Sequence, residues 1–114
     1  MFSSLFSRVR FVLFAALAVS ASSAFAGDDV YELIIKDHKF SPATITIPAD
    51  TKVKLLVKNQ DVTPEEFESY ELNREKIIPG NSQAIIFIGP LSAGEYPFFG
   101  EFNQATAQGK ILVK

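Results

Sequence analysis

From Val30 onward, apolar and polar residues alternate in short runs, each closed by Pro, Gly, Asn or Asp. Val30-Tyr31-Glu32-Leu33-Ile34-Ile35-Lys36 carries the two-residue period of a strand, and Asp37-His38-Lys39-Phe40-Ser41-Pro42 reads as the turn after it. Thr44-Ile45-Thr46-Ile47 is a second strand. Pro48-Ala49-Asp50-Thr51 then turns the chain into a third, Lys52 to Lys58, whose Val53, Leu55 and Val57 share one face while lysines cover the other. Asn59 ends it. Gln60 to Arg74 is polar and acidic and predicts a long irregular connection with a short extended piece around Phe67. The pattern resumes with Glu75 to Ile78, closed by Pro79-Gly80, and Gln83 to Ile88, closed by Gly89-Pro90. After the turn Leu91 to Gly94, Tyr96 and Phe98 alternate with Glu95, Pro97 and Phe99. Gly100 breaks that strand into a loop closed by Gly109, and Lys110 to Lys114 is the last strand. About seven short strands with Pro/Gly punctuation and no helical period predict an all-β fold, a Greek-key β-sandwich.

The first residues follow a different rule. Arg8 and Arg10 precede an apolar run from Phe11 to Val19, and small residues lead to Ala24-Phe25-Ala26. The run is too short to span a bilayer and ends in an Ala-x-Ala cleavage signal, so residues 1–26 are expected to be a secretory leader and 27–114 a single domain. A domain of that size buries only about 60–65% of the surface its unfolded chain exposes, and small exported domains often add disulfides. This chain has no Cys. Its stability must come from sandwich packing or a bound ion. Removing Arg8 and Arg10 with the leader leaves nine basic residues of the eleven against thirteen acidic ones, a net charge near −4. That balance argues against nucleic acid or an anionic membrane as partner and suits cations. A Ser hydrolase arrangement around the single His and a Gly-rich phosphate loop are both missing from the sequence.

Phe40-Ser41-Pro42, Ile47-Pro48-Ala49-Asp50, the strand-ending Asn59 and the loop from Gly94 to Gly109 together resemble the cupredoxins over nearly the whole exported part. In that pattern Gly100 stands where the copper-binding Cys would be, Asn103 at the loop His and Ala107 near the Met; Pro64-Glu65 replaces the Pro-His pair of the first ligand. With no Cys and one His, a type 1 copper site cannot form. Thr63-Pro64-Glu65-Glu66-Phe67-Glu68-Ser69 and Phe98-Phe99-Gly100-Glu101-Phe102 are similar to the EfeO-type cupredoxin-like domains of bacterial ferrous-iron uptake systems. Asn103 departs from that subgroup, where a His often follows Gly-Glu-Phe.

The cupredoxin arrangement implies that His38, the Gln60–Glu68 connection and the Gly100–Gln108 loop open at one end of the sandwich, gathering His38, Glu65, Glu66, Glu68 and Glu101. In an extended segment Glu66 and Glu68 project to one side and Phe67 to the core. With Glu101 arriving from the other loop, they form a candidate hard-oxygen cation site; Glu65 and His38 are further candidate ligands. Tyr96, Phe98 and Phe87 read as core, and Phe102 as a shield over the site. The function expected from the resemblance is a periplasmic accessory protein that handles iron, another divalent ion, or copper outside a type 1 site. It would bind or deliver the ion, or assist its oxidation with partners, for a membrane uptake system. The competing expectation is a metal-free scaffold that docks on another component of such a system.

Overall fold

The computed structural model describes residues 29–114, so the expected leader and the cleavage position after Ala26 lie outside the described residues. Nine strands follow in order: β1 (Asp29–Lys36), β2 (Lys39–Ser41), β3 (Thr44–Ile47), β4 (Val53–Asn59), β5 (Glu65–Ser69), β6 (Arg74–Ile78), β7 (Ser82–Ile88), β8 (Gly94–Gly100) and β9 (Gln108–Val113). A single 3₁₀ turn, Glu101–Asn103, follows β8. One sheet has the order β2-β1-β4-β7 and the other β3-β9-β8-β5-β6. β1 runs parallel to β4 and β3 parallel to β9, while the remaining pairs are antiparallel. This is the expected all-β sandwich.

The strand period explains the core. Leu33 and Ile35 of β1, Val53, Leu55 and Val57 of β4, and Ile86 and Ile88 of β7 turn inward from one sheet; Ile45, Ile47, Phe67, Ile78, Phe98, Ile111 and Val113 meet them from the other. Burying each such side chain favours folding by roughly 1.5–3 kcal/mol. Phe67 and Phe98 stack with ring centroids 4.9 Å apart, and Phe40 closes edge-on against both at 6.2 and 5.1 Å. β9 begins at Gln108, and its Gly109 is fixed by this cluster: a Cβ there would lie 2.5 Å from Phe98 Cζ.

Two expectations are corrected. The segment around Phe67 is a full strand, β5, held between β6 and β8, with Glu65, Phe67 and Ser69 inward and Glu66 and Glu68 outward. Only one of its inward residues is apolar, so the hydrophobic period that marks a strand is absent there; Ser69 Oγ donates to the Pro97 carbonyl at 2.7 Å. Phe87 is not core. It lies on the outer face of the four-stranded sheet, 47% exposed, because its neighbours Ile86 and Ile88 take the inward positions.

Candidate functional site

Three segments meet at one end of the sandwich: the β1–β2 turn, the β4–β5 connection and the β8–β9 loop. Asp61 ties the first two, accepting the backbone N–H of Asp37 at 2.8 Å and of His38 at 3.0 Å. Both turn residues hold positive φ, 53° and 58°. Those two N–H groups, that of His38 foremost, hold the Asp61 carboxyl below its usual range against the opposing effect of burial. Asn59 anchors the same connection by donating to the Thr63 and Ile78 carbonyls at 2.9 and 3.0 Å. The third segment joins through Thr106, whose hydroxyl donates to the His38 carbonyl at 2.5 Å.

Inside this end, the sequence positions matched to copper ligands do come together, and Glu65 fills the space between them. Its side chain is buried, and Oε1 accepts the N–H of Phe102 at 2.9 Å and of Glu66 at 2.9 Å while Oε2 accepts Asn103 Nδ2 at 2.7 Å. The Gly100 N–H donates to the Ala107 carbonyl, and the Ala107 N–H to that of Asn103. A Cβ at Gly100 would stand 2.7 Å from both Ala107 Cβ and Glu65 Cδ. The carboxylate is therefore a bolt from β5 into the 3₁₀ turn, with each oxygen already accepting hydrogen bonds.

Glu66 and Glu68 face the other way, onto the outer surface of the five-stranded sheet. There the antiparallel register sets Glu68 directly opposite Glu75 of β6. Carboxylate oxygens of Glu66, Glu68 and Glu75 all lie within 4.8 Å of one another. Like charges opposite each other across a strand pair destabilise it. Desolvation first, then the Glu75 charge, raises the Glu66 carboxyl above its ordinary range. Glu68 is raised by desolvation first, then by Glu75 and Glu101. Glu68 Oε2 is shielded from solvent and has no hydrogen-bond partner in the chain. Among the described residues no Lys or Arg forms an ion pair with this group. The nearby Arg74 guanidinium instead donates to the carbonyls of Phe87 and Asn73.

The five expected ligands are thus divided. Glu66 and Glu68 are brought together; Glu101 stands beside them, close enough for its charge to act on both but outside the trio. Glu65 points to the interior. His38 is half-exposed, with Nδ1 3.6 Å from Asp61 Oδ2, and belongs to the loop end rather than to the acidic group. Phe102 is 50% exposed. Glu75 is the residue the sequence reading missed. Taking Glu65–Ser69 as a strand and Tyr70–Asn73 as a hairpin turn would have placed it opposite Glu68.

A two-sheet sandwich with parallel β1/β4 and β3/β9 pairs and a ligand-type loop between its last strands defines a cupredoxin-like domain. The chain matches the cupredoxin-like domain family over residues 9–113 and belongs to it. It is 47% identical over 88 residues to an uncharacterized protein of Rickettsia prowazekii (strain Madrid E), an alignment that covers 75% of this chain and 70% of that one. Among solved structures it is similar to auracyanin A, a blue copper protein of Chloroflexus aurantiacus, with a TM-score of 0.67, 15% identity, and 77% of this chain and 100% of that one covered. It is also similar to the metal-binding domain, with Cu(I), of a Cu(I)-exporting P-type ATPase of Streptococcus pneumoniae (TM-score 0.67, 14% identity, 78% and 88% covered). At these identities the shared property is the fold. A type 1 copper does not fit the residues present: Gly100, Asn103, Ala107 and Glu65 supply neither thiolate nor imidazole, and Glu65 occupies the space between them.

Proposed function

We propose that this chain is a periplasmic cupredoxin-like accessory protein that binds a divalent cation, iron as its cargo, on the outer face of the five-stranded sheet and serves a membrane uptake system. The observation that carries this reading is the Glu66, Glu68 and Glu75 trio, its oxygens within 4.8 Å of one another and one of them shielded and unpartnered. Three crowded carboxylates without a basic partner repel, and a cation between them turns that repulsion into ligation. Oxygen-only ligands suit Mn, Mg or Ca by chemistry; iron follows from the similarity to EfeO-type domains. The exported location rests on the expected leader. Assistance in iron oxidation requires a partner, because this small domain offers no second redox centre to carry electrons away.

One observation favours a second reading, a metal-free docking module of the same kind of system: the Glu65–Asn103 bolt closes the interior position at which the fold could hold a metal. Thermal melts separate the two. A cation that binds only the folded chain stabilises it by about 2.7 kcal/mol at one hundred times Kd. For a domain of this size that raises Tm by roughly 10–20 °C. Fe(II) under anaerobic conditions, and Mn(II) as a stable substitute, are expected to raise Tm in the wild type and to lose most of that effect in Glu68→Gln. An unchanged Tm with every ion supports the docking module.

A further inference from the structure

The net negative charge of the chain conceals a segregation of charge between its two outer faces. On the four-stranded sheet, register sets Val30, Lys54 and Phe87 in one row and Glu32, Leu56 and Ile85 in the next. Val30, Ile85 and Phe87 are 58%, 50% and 47% exposed, and no described element covers them. Lysines frame this apolar centre. Lys52 Nζ and Lys54 Nζ stand 5.2 and 5.9 Å from the Phe87 ring centroid. Lys36 and Lys39 lie directly opposite each other across β1 and β2, a like-charge pair of which Lys36 also acts on the nearby Asp61 carboxylate. The acid in these rows, Glu32, is paired to Lys58.

We propose that this face docks on an anionic lipid bilayer surface. Aromatic and aliphatic side chains ringed by long lysines match an interface where rings sit among headgroups and ammonium groups reach phosphates. The acidic trio does not oppose this. Sheets pack about 10 Å apart, so with side chains the two outer faces are separated by about 20 Å, roughly two and a half Debye lengths of the surrounding solvent at physiological salt. Docked this way, the domain turns Glu66, Glu68 and Glu75 toward solvent. The proposal departs from the expectation drawn from net charge, and it stands independently of the cation reading.

Co-sedimentation of the purified protein with vesicles of phosphatidylglycerol and phosphatidylcholine, against pure phosphatidylcholine, tests it. Binding is expected to the anionic vesicles alone and to fall steeply in 0.5 M salt. Each lysine near an anionic surface is worth about fivefold in partitioning, so Lys36→Glu with Lys39→Glu loses at least about 25-fold. Ile85→Ser, an exposed change that leaves charge intact, weakens binding less while salt dependence persists. Equal binding to both vesicle types, no binding to either, or an unaffected double variant overturns the proposal. So does salt-sensitive self-association without lipid, which assigns the face to a second copy.

Discussion

Truncating Glu65 removes the bolt that joins β5 to the β8–β9 loop, and the cost follows from its bonds. Glu65→Ala leaves Phe102 N–H and Asn103 Nδ2 without their acceptor in a partly buried setting, at about 1–3 kcal/mol each, and opens a cavity where a buried side chain stood. The expected loss is about 3–5 kcal/mol, a large fraction of the 5–15 kcal/mol typical of a whole domain. Glu65→Gln keeps the shape, and a turned Asn103 amide can offer its oxygen to the new donor, so it costs about 1 kcal/mol. Asn103→Ala costs about 1–2 kcal/mol by removing one charge-assisted partner. The Glu65/Asn103 double-mutant cycle, read by urea denaturation, then yields a coupling of about 1–3 kcal/mol. A Glu65→Ala protein within 1 kcal/mol of wild type, or a coupling near zero, refutes the bolt.

Gly100→Ala drives a methyl against Ala107 Cβ and Glu65 Cδ and lowers stability by about 1–3 kcal/mol in the same denaturation assay. Asp61→Asn weakens the acceptor of two backbone N–H groups in the β1–β2 turn and costs about 1–2 kcal/mol at pH 7. Because the Asp61 carboxyl is lowered from 3.8, that stability is present above this value and fades as pH falls through the lowered one, where mutant and wild type converge. Glu68 behaves in the opposite sense. Its carboxyl is raised above 4.5, so the metal-free fold holds the proton more tightly than the unfolded chain and loses stability as pH rises from 4.5 through the raised value. Glu68→Gln flattens that decline in melts run with a chelator.

Where side chains alternate plainly, the sequence was enough. Val53, Leu55 and Val57 marked β4, and Thr44–Ile47 fell on β3 residue for residue. The strand at Glu65–Ser69 was hidden because its inward side chains are a bolt, an aromatic and a hydroxyl rather than an apolar row. That omission had a consequence for the site. Without β5 as a strand, the β5–β6 register was invisible, and Glu75 could not be seen opposite Glu68. Glu65 was legible as the replacement for a ligand but not as buried, since burial of a carboxylate depends on donors from Phe102 and Asn103 far along the chain. Phe87 misled because an aromatic in an edge strand between Ile86 and Ile88 carries no mark of which face it takes.

On the proposed function, a cation binds outside the sandwich at Glu66, Glu68 and Glu75 while the Glu65 carboxylate closes the interior position. Mn(II) titration followed by electron paramagnetic resonance, on wild type, Glu75→Gln and Glu65→Gln, separates the two positions. Binding is expected to be saturable in the wild type, to fall at least about tenfold in Glu75→Gln on removal of one anionic ligand, and to stay within about twofold in Glu65→Gln, because the Glu65 carboxylate faces the interior. No binding in the wild type, or loss in Glu65→Gln with Glu75→Gln unaffected, contradicts it.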